Sequence, residues 1–182
     1  MTDPQPASVY DLTPETEAEN LATFAILVDN EPGVLHRLVG LFAARGYNIE
    51  SLTVAETDRR AHTSRVTIVT RGAPHVLMQI EAQLEKMVAT RHVQDVTRDP
   101  NGLERELALV KVKGSGADRV EALRVSDIFR AKVIDTTHES FVFELTGAPS
   151  KIDSFVDLMR PLGLVELSRT GVLSITRGAQ AL

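Results

Sequence analysis

Asn30, Gly33 and Asn48 are the residues whose types and spacing offer chemistry in this chain. The stretch 29–54 reads DNEPGVLHRLVGLFAARGYNIESLTV, and its apolar spacing starts a helix directly after Gly33. A helix start carries backbone N–H groups without internal partners and a partial positive charge. Gly33 has no Cβ, so a small anion can come close to the backbone there. Pro32 lacks an N–H and stiffens the loop. Asn30 and Asn48 each offer amide donors and a carbonyl acceptor. Together these groups suit a free amino acid. The helix N–H groups would take its carboxylate, and an Asn oxygen or a main-chain carbonyl would take its ammonium. Val34, Leu35 or Ile49 would line a pocket for its side chain. The same residues also fit an ordinary strand–loop–helix turn with a glycine for geometry, and on residue types alone both readings stand.

The flanking elements must position these groups. An apolar strand over 24–28 leads into the loop. The helix carries Val34, Leu35, Leu38, Val39, Leu41 and Phe42 on one side. Arg45 is expected in its last turn and Gly46 just past its end. Asn48 is expected to open the next strand, with Leu52 and Val54 on one face. A polar hairpin loop follows over 57–62, then an alternating strand over 64–70. Gly72-Ala73-Pro74 breaks it, with Pro74 in the first turn of the next helix. A short strand over 91–97 closes the order β-α-β-β-α-β. After a polar linker over 99–104 the order repeats: strand 106–113, helix 117–129, strands 131–136 and 140–145, and helix 149–162. A closing hairpin is expected between 165–167 and 172–175. The expected fold is α+β, with two tandem ferredoxin-like βαββαβ units over 21–98 and 105–178, behind a disordered acidic tail over 1–20.

Composition narrows the function. The chain has 182 residues, 43% apolar, and no cysteine, so disulfides, thiolate catalysis and Cys-ligated zinc are excluded. Asp3, Asp11, Glu15, Glu17 and Glu19 account for the whole net charge of −5, which leaves the folded part neutral. With 4% aromatic residues and no basic excess, nucleic-acid binding is not expected. No apolar run reaches the length of a membrane span and no leader is visible, so a soluble, cytoplasmic protein is expected. The histidines His36, His62, His75, His92 and His138 show no metal-ligand spacing, and no metal site is expected. No GxSxG elbow surrounds Ser51, Ser64 or Ser168. Gly114-Ser115-Gly116 lacks the rest of a phosphate loop and reads as a turn. Glu50 reads as a solvent- or partner-facing strand residue. The run Glu104-Arg105-Glu106 reads most simply as a solvated edge, with interface contact as the alternative, and Arg169 reads as a surface residue. No catalytic set emerges.

The first half resembles an ACT domain, a small βαββαβ module that binds amino acids. The words EPGVLHRLVGLFAARGYNIESLTV, SRVTIVTRG, RELALVKV, DIFRAKVIDTT and SRTG are similar to those of the small, regulatory subunit of acetolactate synthase. That resemblance implies an ACT domain over 21–98 and a chain that is not itself catalytic. It implies activation of a large subunit that carries thiamine diphosphate, Mg and FAD, within branched-chain amino acid biosynthesis. It implies a homodimer through paired ACT sheets, with valine or a related amino acid bound across the interface as feedback inhibitor. Carried onto this sequence, the effector site is Asn30, Gly33, Val34, Leu35, Asn48 and Ile49. The alternative is a free-standing amino-acid sensor acting on another partner. A small catalytic protein on this scaffold has no residue support.

Overall fold

A computed structural model describes residues 18–179. The tail expected over 1–20 lies almost wholly outside them. The first unit runs β1 (Asn20–Asp29), α1 (Val34–Ala43), β2 (Ser51–Asp58), β3 (Thr63–Gly72), α2 (Pro74–Glu85) and β4 (Thr90–Asp95). The second runs β5 (Gly102–Lys113), α3 (Gly116–Phe129), β6 (Lys132–Thr136), β7 (Ser140–Gly147), α4 (Pro149–Met159), β8 (Leu164–Arg169) and β9 (Leu173–Thr176). The sheets have the orders β2-β3-β1-β4 and β6-β7-β5-β8, all antiparallel. This is the expected α+β architecture of two ferredoxin-like units.

The cores follow from the apolar stripes. Val34, Leu38 and Phe42 of α1 and Leu77, Ile80 and Leu84 of α2 pack on Phe24, Ile26, Val66 and Ile68 of the sheet. Ile152, Phe155, Val156 and Met159 of α4 pack on Val110, Val112, Phe143 and Leu145 in the second unit. Each such side chain contributes about 1.5–3 kcal/mol when fully buried. Boundaries differ from expectation at several points. Asn48 and Ile49 precede β2 rather than opening it. Arg45 lies beyond α1 and donates only a long bond to the Leu41 carbonyl, 3.4 Å. Helix α4 stops at Met159, with Arg160 still in helical backbone, because Pro161 beyond it has no N–H to continue the hydrogen-bond ladder.

The main correction concerns the chain's end. β8 and β9 do not form a hairpin with each other. Both pair with the long β5: β8 with Ala108–Val112, and β9 with Gly102–Arg105. Gly171, at φ +81°, sits between them in backbone space that residues with a Cβ rarely enter. The start of β5, expected as linker, therefore forms a two-stranded ribbon with β9. That ribbon explains a second surprise. On the sheet face opposite α1 and α2, Thr23, Ala25, Thr67 and Val69 are buried. β9 lies against β1 on that side; Val172, just before it, and Ser174, within it, are buried.

Candidate functional site

The β1–α1 loop is held from below. The Asn30 N–H donates to the His62 carbonyl, 2.7 Å, and its amide nitrogen donates to Glu56 Oε1, 3.4 Å. Arg91 pairs with Asp29 at 2.6 Å. Gly33 is the residue that starts α1, at φ +86°, a left-handed conformation that costs a residue with a Cβ roughly 1–2 kcal/mol. Among the described residues no side chain caps this helix. A Cβ built on Gly33 would meet nothing within 4 Å, so the approach to the helix start is open. Val34 points into the core, 4% exposed, whereas Leu35 is 41% exposed beside the helix start. Leu35, not Val34, is the apolar wall that a ligand can reach.

Asn48 and Ile49 lie elsewhere. Thr70 donates to the Asn48 carbonyl at 2.6 Å, and the Glu50 N–H donates to the Val69 carbonyl at 2.8 Å. Ile49 packs partly against the first core, and the Asn48 side chain is exposed. The loop at Asn30 sits beside Thr63, the partner of Asp29, while Asn48 sits beside Thr70. Those anchors are separated by the strand from Thr63 to Thr70, roughly 23 Å at about 3.3 Å per residue. One chain thus brings Asn30, Gly33, Val34 and Leu35 together and holds Asn48 and Ile49 at the other end of the sheet.

A second group of polar residues, several of which the sequence offers only as separate surface charges, is brought together by the fold. Arg169 donates through Nε and Nη2 to the two oxygens of Glu106, 2.7 and 2.5 Å, and through Nη1 to Asp153, 2.7 Å. Glu106 is 3% exposed, so its expected role as a solvated edge is wrong, and Arg169 is a fixed cross-strand partner rather than a loose surface residue. Hydrogen bonding to Glu106 raises the Arg169 guanidinium above its ordinary value. These residues, with Glu50, Arg71, Leu52 and Gly171, line an open cleft of about 510 Å³ between the units. Glu50 pairs with Arg71 there at 3.7 Å. Both partners of the Glu106–Arg169 pair stand in the sequence words RELALVKV and SRTG, but 63 residues apart, too far for a local pattern to join them. Among the described residues, no group of three His, Asp or Glu is placed to hold a metal ion. No helix there is long and apolar enough to cross a membrane.

A βαββαβ unit with an uncapped, glycine-started helix after its first strand, followed by a second ferredoxin-like unit, defines an ACT-containing protein of two units. Residues 24–92 match the family model for the AHAS small subunit-like ACT domain, and residues 105–178 that for the small subunit of acetolactate synthase. The chain is 45% identical over 156 residues to a probable acetolactate synthase small subunit of Archaeoglobus fulgidus, covering 86% of this chain and 96% of that one. It is 44% identical over 155 residues to the acetolactate synthase isozyme 3 small subunit of Escherichia coli, covering 85% and 94%. The crystal structure of the acetolactate synthase small subunit from Thermotoga maritima superposes with a TM-score of 0.77 at 36% identity, covering 88% of this chain and 99% of that one. The chain belongs to the acetolactate synthase small-subunit family.

Proposed function

We propose that this chain is the regulatory subunit of an acetolactate synthase: it activates a catalytic large subunit and makes it sensitive to a branched-chain amino acid, with valine as the first candidate. The observation that carries this reading is the separation of the two half-sites along an unpaired edge. β2 is the outer strand of the first sheet. Asn30 stands beside Glu56 near the last residues of β2, and Asn48 and Ile49 directly precede its first. Antiparallel pairing of β2 with β2 of a second copy, about a two-fold axis, sets the end of one strand against the beginning of the other. Asn30, Gly33 and Leu35 of one protomer then face Asn48 and Ile49 of its partner, and two equivalent sites form per dimer. The helix start takes the ligand carboxylate, the Asn carbonyls take the ammonium, and Leu35 with Ile49 covers the aliphatic side chain.

Inhibition then follows from linkage. Valine favours one conformation of the complex and shifts the population toward the less active state, a coupling of about 1–3 kcal/mol or 5–150-fold. Thiamine diphosphate, Mg and FAD belong in this reading to the large subunit, and the place of work is the cytoplasm, in branched-chain amino acid biosynthesis. The test is calorimetric titration of L-valine into the chain, alone and with the large subunit. Saturable binding at one site per chain, with valine inhibition of the complex, is expected. No binding in either case, with activation intact, would overturn the effector reading.

A further inference from the structure

We infer that Ser51 and Thr53 of β2, gripping the backbone of Val172, form the link that carries the effector signal from the first unit to the second; this inference rests on the effector reading above. The Val172 N–H donates to Ser51 Oγ at 3.0 Å, and Thr53 Oγ1 donates to the Val172 carbonyl at 3.0 Å. One residue's two backbone groups are thus held by two hydroxyls two positions apart on one strand. Register explains why both hydroxyls reach it. Ser51 pairs with Val69 and Thr53 with Thr67, and these rows continue to Thr23 and Ala25 on β1. All lie on the sheet face that the β5–β9 ribbon covers, away from the helices.

The same short segment is fixed to the second sheet. The Thr170 N–H donates to the Leu107 carbonyl at 3.0 Å, and the Leu107 N–H donates to Thr170 Oγ1 at 3.1 Å. Arg169, one residue earlier, is tied to Glu106 and Asp153. Gly171 joins the two attachments. A Cβ there would lie 2.5 Å from Ser51 Oγ and 3.0 Å from Thr53 Cγ2, and its φ is +81°. The segment 169–172 is therefore a short strap with no slack, one end on β5 and α4, the other on β2. β2 itself begins two residues after Ile49. A change in backbone position at Asn48 and Ile49 when the ligand binds moves Ser51, and the strap passes that movement to the second unit rather than letting the units shift independently. This gives the SRTG word a role beyond the effector site, which its residues do not touch.

The experiment uses the full chain in complex with its large subunit. The variants are Ser51→Ala with Thr53→Val, which removes both hydroxyls at nearly constant shape, and Ser51→Thr with Thr53→Ser, which keeps them. The hydroxyl-free variant is expected to activate the large subunit as the wild type does and to bind L-valine by calorimetry within about threefold of it, a shift under one RT-scale decade. Its maximal inhibition at saturating L-valine should fall by about fivefold or more, the lower bound of an ordinary allosteric coupling. The hydroxyl-retaining variant should restore inhibition, which also guards against misfolding as the cause. Undiminished maximal inhibition in the hydroxyl-free variant would overturn the strap. Equal loss of inhibition in the hydroxyl-retaining variant would also overturn it, because the hydroxyls would then be irrelevant. Wild-type chain that neither binds L-valine nor confers inhibition would overturn the effector reading, and the relay with it.

Discussion

Asn30 and Asn48 are anchored at opposite ends of β3, Asn30 through the His62 carbonyl just before it and Asn48 through the Thr70 hydroxyl near its end. Both asparagines belong to the proposed effector site, and no rotamer change in one chain brings them together across roughly 23 Å of strand. β2 is an edge strand, and in the proposed two-fold pairing the partner would supply the missing half.

Gly33 separates two kinds of damage. Space around it is open, so Gly33→Ala costs only the left-handed backbone, roughly 1–2 kcal/mol. Gly33→Asp adds a carboxylate where the proposed site would hold the ligand carboxylate. Titration of both variants with L-valine should show weakened but measurable binding for Ala and none for Asp, while both still activate the large subunit. Tight valine binding by Gly33→Asp would remove Gly33 from the site.

Arg169 is predicted to be a stability residue as well as part of the strap. Arg169→Met leaves the Glu106 carboxylate, 3% exposed, without its main partner. Removing one member of a buried pair costs about 3–5 kcal/mol, and the low end applies because the Arg169 side chain is 33% exposed. Urea unfolding should show Glu106→Gln with Arg169→Met losing less than the sum of the single variants. Additive losses would mean that the pair contributes no coupling.

Much of this architecture was legible in the sequence. The stripes of α1 and α4 and the Gly33 start are local signals, repeating every three to four residues or set by one backbone angle. What was illegible is non-local. Strand 102–105 pairs with residues more than 65 positions later, and no local period says whether β9 returns to β8 or to β5. Glu106 looks like any solvated charge until Arg169 is placed across from it. The two halves of the proposed effector site illustrate the same limit: each is a local word, but the distance between them depends on the register of β3 with β1 and β2.

Glu81 gives a pH signature. Burial first, then the nearby Asp95 charge, raises its carboxyl above the usual range, with Arg98 opposing. The folded chain therefore holds the Glu81 proton more tightly than the unfolded chain. Its contribution to stability is fully present below the unfolded value and is lost as pH rises through the folded one. Glu81→Gln removes this dependence. The Tm of the variant relative to wild type should rise as pH increases from about 4 to about 7. A difference that stays constant over that interval would contradict the assignment.

The most direct test of the shared site is complementation between chains. Gly33→Asp and Asn48→Ala should each abolish L-valine binding as homodimers, since every site then carries one lesion. In a mixed dimer of the two variants, one site carries both lesions and the other carries none. Calorimetric titration of purified mixed dimers should recover wild-type affinity at one site per dimer. Mixed dimers that bind no better than either parent would contradict a site built from two chains.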